Sequence, residues 1–478
     1  MPDTLFSRYL EVIDMTALKE KANTKKLDML NGPIWSKLPQ YALPVAATGI
    51  LEQLFNASDI AIVGNFTGEN STAAVAAVGA NSPIIGLILN LFIGIALGAN
   101  VVIANAVGQK DDKTIRRAVH TSVIMAVVGG ILVAIVGELG IGALLKTLNV
   151  PEDVFPFALL YIRIYLLGMP AILLYNFEAA IFRSVGDTKM PLAALAVSGV
   201  LNVLLNLFFV IVLKMTVNGV AIATVISNVV SSIVLLVKLT KTDKAIHLDW
   251  KELKYDRDCA RRIIRIGLPA GIQSAVFAVA NIVIQSAINS LGTVVIAASS
   301  AAFNIEIFAY DVLNSFSQAC TTFTGQNYGA GNIKRCKKTL ILCIIEDAIA
   351  SALAIGLILV FGKSLLAIFN NDAQVIEIGY TRLVMIFSAY TFSMLYENMS
   401  GYLRGFGISV APAILTIIGV CVVRIVWIYT VFPSHRDFST IMMAYPLSLS
   451  VTALLIFIAL MVYRPSRKFA HGETRTTK

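Results

Sequence analysis

Apolar stretches of about 20 residues or more recur along the chain, each bounded by short polar segments. Runs of that length are what an α-helix needs to cross ~30 Å of hydrocarbon. Twelve are read, at 38–63, 73–107, 115–138, 157–183, 190–213, 217–238, 263–290, 294–325, 338–361, 375–404, 411–432 and 440–463. The second is too long for one straight crossing, and Pro83 with Gly86, Gly94 and Gly98 lets it bend or extend. The one long internal polar stretch is Thr240–Arg262, in which Trp250, Leu253 and Ala260 alternate with charges as in a short amphipathic helix lying on a membrane face. The pattern predicts an all-α polytopic membrane protein with an N-terminal segment 1–37, a first lobe 38–239 of six helices, a linker 240–262, a second lobe 263–463 of six, and a tail 464–478.

Composition strengthens this reading. Hydrophobic residues make up 57% of the chain and charged residues 14%, with mean hydropathy +0.77, too little polar surface for a soluble protein of 478 residues. The first 37 residues are charged and lack the short apolar core of a cleavable signal. With the N-terminus cytoplasmic, the inside loops collect Lys110–Arg117, Arg183, Lys189, Lys238–Arg265, Lys334–Lys338 and the tail from Arg464. The outside loops hold Lys146, Lys214, Lys363 and Arg436. This positive-inside asymmetry predicts a multi-pass plasma (inner) membrane protein with both termini cytoplasmic. The net charge of +9 is therefore read as an orientation signal with some contact to anionic lipid headgroups, not as a nucleic-acid surface. The five cysteines form no CxxC pair, the histidines at 120, 247, 435 and 471 show no ligand spacing, and no phosphate-binding loop is present, so no cofactor is expected and ATP is not the driver.

The two halves repeat. Phe182–Pro191 (FRSVGDTKMP) is echoed at Leu403–Pro412 (LRGFGISVAP), with Arg183/Arg404, Gly186/Gly407 and Pro191/Pro412 all 221 positions apart. Gly108–Gln109 and Gly325–Gln326, 217 apart, end the second and eighth spans. Pro44 and Pro269, 225 apart, open the first and seventh. Six crossings per half is an even number, so the copies share one orientation and a pseudo-two-fold axis along the membrane normal is expected, the usual plan of a transporter. The arginine, glycine and proline of the motif are read as a repeated cytoplasmic turn.

Carboxylates within apolar spans are costly unless paired, hydrated or protonated, so each is a functional candidate. The first half offers Glu52, Asp59 and Glu178; the second offers Glu306, Asp311, Glu346, Asp347 and Glu397. Glu52, Asn56 and Asp59, spaced i, i+4, i+7, share one helix face that should point into the bundle. Asn202 with Asn206, Thr224 with Asn228, and Asn176 add amide and hydroxyl oxygens. One acid with several neutral oxygens suits Na⁺ or a proton, whereas the same amides also serve as interhelical hydrogen-bonding glue. Arg424, midway along the eleventh span, needs a partner, for which Glu397, Glu306 and Asp311 are the candidates. Tyr41, Tyr175, Tyr390 and Tyr396 are read first as packing residues and second as lining of a drug cavity.

The sequence Phe55-Asn-Ala-Ser-Asp59-Ile-Ala-Ile-Val-Gly64, together with Gly108-Gln109, Phe182–Pro191, Gly325-Gln-Asn-Tyr-Gly-Ala-Gly331 and Leu403-Arg-Gly405, resembles the multidrug and toxic compound extrusion (MATE) transporters over about residues 32–464. The resemblance implies a V-shaped pair of six-helix lobes and secondary-active export, by alternating access, of amphipathic and often cationic compounds in exchange for H⁺ or Na⁺. It implies that the protein is not an enzyme, that its partners are the lipid bilayer and small-molecule substrates, and that it acts as a monomer. In the prokaryotic branch with an N-lobe cation site, the coupling residues fall on Asp59, Asn176, Asn202, Asn206 and Thr224. The family's second fifth-span aspartate is Asn206 here, leaving one fixed carboxylate where two are usual. That departure tilts the expectation from Na⁺ at Asp59 toward H⁺, because a cation held by one acid and neutral oxygens is weakly attracted; Glu52 could restore a second charge. Aligning the repeat sets Glu397 opposite Asn176, and Glu52, Tyr175, Glu306, Asp311, Glu397 and Arg424 remain candidates for substrate binding or gating. A lipid-linked saccharide flippase of a related fold is the alternative reading, disfavoured by the few basic residues expected within the membrane.

Overall fold

The computed structural model describes residues 27–68, 71–148, 150–243 and 245–468, so the N-terminal segment and the tail are seen only at 27–37 and 464–468. Among the described residues all regular structure is helical. The first half contains α1 (Leu38–Phe66), α2 (Ser71–Gln109), α3 (Asp112–Thr147), α4 (Phe155–Leu167), α5 (Met169–Ser184), α6 (Lys189–Leu207, extended by a π-helical turn) and α7 (Val217–Lys241). The second half repeats the order with α8 (Arg257–Asn289), α9 (Thr293–Gly329), α10 (Ile333–Phe369), α11 (Ala373–Phe387), α12 (Tyr390–Gly405), α13 (Val410–Thr416) passing through a π-helical turn into α14 (Val423–Thr430), and α15 (Phe438–Tyr463).

Nine of these helices or continuous spans are long and apolar enough to cross a membrane, and two bent pairs raise the number to eleven among the described residues. The twelfth expected span, α1, has 29 residues and is ~43 Å long. Glu52, Gln53, Asn56, Ser58 and Asp59 dilute its apolar character.

The bent pairs correct the expectation of single fourth and tenth spans. α4 meets α5 at 52°, and α11 meets α12 at 46°. At the first break, Pro170 withholds an amide proton, and a Cβ on Gly168 would lie 2.5 Å from Val225 Cγ2. No proline marks the second break, at Ser388–Ala389. The second span, by contrast, continues past Pro83 as one helix of 39 residues.

Pro44 and Pro269 lie inside α1 and α8 and do not open them. The linker is shorter than expected because α8 already begins at Arg257, where Asp256 accepts a hydrogen bond from the Cys259 N–H at 2.9 Å. Among the described residues of the linker no amphipathic helix forms: Trp250–Glu252 is a single 3₁₀ turn with Trp250 exposed. Ile246 and Leu248 are the anchoring apolar residues, buried against α3 and α7, and the Asp256 N–H donates to Thr121 Oγ1 at 3.0 Å.

The repeat has one register. Gly186 and Gly407 adopt φ of +85° and +81°, the left-handed turn that favours glycine. Lys110 and Gly331, also 221 apart, both take positive φ after α2 and α9. A Cβ on Gly108 would lie 1.9 Å from the Gln326 carbonyl oxygen, and one on Gly329 would lie 2.0 Å from that of Asn105. These two contacts exchange under the same 221-residue step. Gly108 therefore corresponds to Gly329 and not to Gly325, correcting the offset of 217.

The two lobes meet here, at the ends of α2 and α9 that precede basic loops. Each lobe's first helix leans its adjoining end on the other lobe. Leu38, Tyr41 and Val45 of α1 join a core with Phe316 and Phe323 of α9, while Cys259 and Ile263 of α8 join the core of α2, α3 and α5. α2 and α8 approach closely enough that Gly94, Gly98, Gly267 and Gly271 each face backbone of the other helix. On the periphery, α3 and α10 expose Leu132, Ile135, Val136, Leu139, Leu353, Leu357 and Val360. Such rows of exposed aliphatic residues are explained by contact with lipid.

Candidate functional site

Inside the first lobe, α1, α6 and α7 bring four of the five expected coupling residues together. Asp59 is 6% exposed. Asn206 Nδ2 donates to Asp59 Oδ1 at 2.5 Å, and Thr224 Oγ1 donates to Asp59 Oδ2 at 3.1 Å. Asn206 Nδ2 also reaches Asn202 Oδ1 at 3.1 Å, and Asn202 Nδ2 reaches Thr224 Oγ1 at 3.4 Å. The spacing explains the convergence: Asn202 and Asn206 lie one turn apart on α6, facing the turn of α7 that carries Thr224. Among the described residues no cationic side chain pairs with Asp59. Asn206 Oδ1 is buried without a hydrogen-bond partner.

Asn176, the fifth, makes no hydrogen bond to this cluster; its Nδ2 returns to the Ile172 carbonyl of its own helix at 2.9 Å. It nevertheless lines the same pocket of about 150 Å³, with Asp59, Asn202, Thr224 and Tyr175. Tyr175 is buried and donates to the Pro191 carbonyl at 3.4 Å, so it both packs and lines.

A second cavity of about 310 Å³ lies between the lobes. Glu52, Ile93 and Asn176 line both it and the Asp59 pocket and so form the wall that joins them. Asp311 enters from α9, close enough to α1 that a Cβ on Gly49 would meet its carboxyl at 2.7 Å. At the closed end, where α2 and α9 of the two lobes meet, Asn100 Nδ2 donates to the Ala180 carbonyl at 3.2 Å and its Oδ1 accepts from Thr322 Oγ1 at 3.0 Å. The Tyr41 hydroxyl meets the same threonine at 2.8 Å.

Two corrections follow in the second lobe. Arg424 pairs with none of Glu397, Glu306 and Asp311. It is 8% exposed, stacks over the Tyr445 ring at 4.1 Å from the centroid, and donates from Nε to Ser448 Oγ at 3.0 Å. Glu306 is claimed by Arg382 of α11 at 2.9 Å, and neither Glu306 nor Arg424 lines the cavity between the lobes. Glu397 does line it, paired with Arg404 at 3.5 Å. Asp347 is held by Ser351 Oγ at 2.8 Å and Asn398 Nδ2 at 2.6 Å, and Glu178 by Ser232 Oγ at 3.1 Å.

The arginines are what the sequence reading missed. Arg183 and Arg404, taken as parts of a cytoplasmic turn, both line the central cavity; only the glycines that follow them make the turn. Their identity at a fixed step in two copies was the available signal. Arg382 carries the same signal as the acids, a charge within an apolar span.

A two-lobed helical bundle, apolar outside and polar along a cleft between its lobes, is a membrane transport architecture. The MatE family model matches residues 44–208 and 269–430, one stretch in each half, and the chain belongs to the MatE family. It is 25% identical over 434 residues to the probable multidrug resistance protein YoeA of Bacillus subtilis, covering 89% of this chain and 93% of that protein. It is 26% identical over 406 residues to the probable multidrug resistance protein NorM of Thermotoga maritima, covering 82% and 84%. A solved MATE transporter in an outward-facing conformation superposes with a TM-score of 0.86 at 22% identity, over 93% of this chain and 99% of that one.

Proposed function

We propose that this protein is a proton-coupled antiporter that exports small organic molecules across the plasma membrane by alternating access, with both termini cytoplasmic and the monomer as the working unit. The observation that carries the reading is Asp59: a buried carboxylate held by neutral donors and joined to the central cavity through the shared wall of Glu52 and Asn176. Export of drugs comes from the relatives named for multidrug resistance.

The coupling ion follows from the donor set. Asn206 presents its amide N–H₂ to Asp59 where a second carboxylate would add negative charge, so Asp59 is the one acid of the hydrogen-bonded cluster and can be neutralised by one proton, with Glu52 on the pocket wall. Na⁺ is favoured by one specific feature, the buried and unbonded Asn206 Oδ1, an oxygen free to ligate a cation. Reconstituted protein should drive dye efflux from proteoliposomes under an imposed pH gradient without Na⁺. Efflux that requires a Na⁺ gradient would replace the proton reading, and efflux under neither gradient would refute antiport.

A further inference from the structure

The cavity between the lobes is bipolar. At its closed end stand Arg183 and Arg404, related by the two-fold repeat and both permanently charged. Arg404 is 8% exposed. Its Nη2 contacts Ser317 Oγ at 3.1 Å and Glu397 Oε2 at 3.5 Å, while its buried Nε has no partner. Arg183 Nη1 contacts only the amide oxygen of Gln318, at 3.3 Å, and among the described residues no carboxylate lies within ion-pair distance of it. Glu397 thus pairs with one arginine and leaves the other without a direct ion pair. Away from that end the sign reverses. Among the described residues Glu52 and Asp311 face the cavity with no cation at ion-pair distance, Arg183 acting on Glu52 only as a longer-range charge, and Asp311 Oδ2 is buried and unbonded. Asp311 lies seven residues from Gln318 along α9, a rise of ~10 Å.

We infer that the central cavity takes zwitterionic solutes, with a carboxylate or phosphate group seated at Arg183 and Arg404 and a cationic nitrogen seated at Glu52 and Asp311. A solute with only a positive charge satisfies the acids but leaves the Arg183 guanidinium facing apolar or cationic surface. A zwitterion of matching span compensates both ends and displaces water from both. This inference rests on the export reading, because it names the substrate class of the same cavity.

A matched pair of dyes tests it. Rhodamine 110 carries a xanthylium cation and a free carboxylate, and rhodamine 123 is its methyl ester, a cation of nearly the same shape. Equilibrium binding to the full-length protein in detergent, read by fluorescence polarisation, needs no gradient. Rhodamine 110 is expected to bind about tenfold more tightly than the ester, a difference of ~1.4 kcal/mol. Arg183→Gln should weaken rhodamine 110 by about that factor without weakening the ester, which also shows that the variant is folded. Arg183→Lys should restore most of the preference. An ester that binds as tightly as the acid, or a preference unchanged in Arg183→Gln, overturns the inference and leaves the export reading standing. Binding of neither dye also overturns the inference, and the gradient-driven efflux assay decides the export reading separately.

Discussion

Asp59 of the first lobe and the Glu306 and Glu397 pairs of the second handle buried charge in opposite ways, even though Asp347 of the second lobe is also held by neutral donors. In the first, Asp59 is held by an amide and a hydroxyl, and among the described residues no cationic side chain pairs with it. In the second, Glu306 lies against Arg382 at 2.9 Å and Glu397 against Arg404 at 3.5 Å. A carboxylate already neutralised by a fixed guanidinium gains little from taking up an ion. One held by neutral donors changes the charge of its surroundings each time it does so. On the antiport proposal, Asp59 is the acid suited to exchange an ion, whereas Glu306 and Glu397 are suited to holding charge in place.

The most forceful way to break this comparison is to remove the two kinds of acid in turn. Asp59→Asn is expected to reduce gradient-driven export at least 100-fold in proteoliposomes while the protein remains in the membrane, because an amide cannot take up the proton. Glu306→Gln should keep most of its export activity. If Asp59→Asn exports normally, or Glu306→Gln alone abolishes export, the division of labour is wrong.

The paired lobe should show its penalty in stability. Arg382 is 4% exposed, so Arg382→Met leaves Glu306 without its partner in a dry setting, a loss of ~3–5 kcal/mol for breaking a buried pair. Thermal unfolding in detergent should show a large drop for Arg382→Met. Removing both charges, as Arg382→Met with Glu306→Met, should recover much of it, since the desolvation cost then disappears from both sides. A double variant as unstable as the single one would mean that Arg382 matters through its contacts with Ser299 and the Tyr445 ring instead.

Asn206 sharpens the contrast from within the first lobe. Asn206→Asp supplies a second carboxylate beside Asp59, which should raise Na⁺ affinity about tenfold, or ~1.4 kcal/mol. Na⁺-dependent protection against thermal unfolding measures it. No gain in Na⁺ response would show that the neighbouring oxygens cannot gather around an ion, whatever their charge.

How much of this was legible depended on periodicity. Glu52, Asn56 and Asp59 on one face of α1, and Asn202 with Asn206 on one face of α6, are consequences of 3.6 residues per turn, so the amphipathic faces could be read directly. All three α1 residues do line the Asp59 pocket. The partners of Arg424 and Glu306 were not legible, because they depend on which of several helices turns which face inward. Arg424 chose an aromatic ring and a serine over any acid. The bend at Ser388–Ala389 lacked a proline cue, and the register of α2 against α9 was misread because Gly325 and Gly329 offer two plausible matches to Gly108. Only the backbone contacts Gly108–Gln326 and Gly329–Asn105 separate them.

The smallest expected difference lies at the caps of the two corresponding helices that leave the closed end. Asp111 caps α3, accepting from the Thr114 N–H at 3.1 Å and from Thr114 Oγ1 at 2.6 Å. Its counterpart 221 residues on, Asn332, precedes α10 without a side-chain cap. The Thr114 hydroxyl and amide donors hold the Asp111 carboxyl below its ordinary value of 3.8. A group depressed on folding contributes stability above its unfolded value and loses it as pH falls through the folded one. Asp111→Ala should therefore cost ~1 kcal/mol near neutral pH and progressively less as pH drops below 3.8, whereas Asn332→Ala should cost a few tenths at most and show no such dependence. Paired thermal melts of the two variants from pH 7 down to the acid limit of the detergent-solubilised protein measure both. Equal, pH-independent losses would place the difference between the lobes in their buried acids alone and not in their caps.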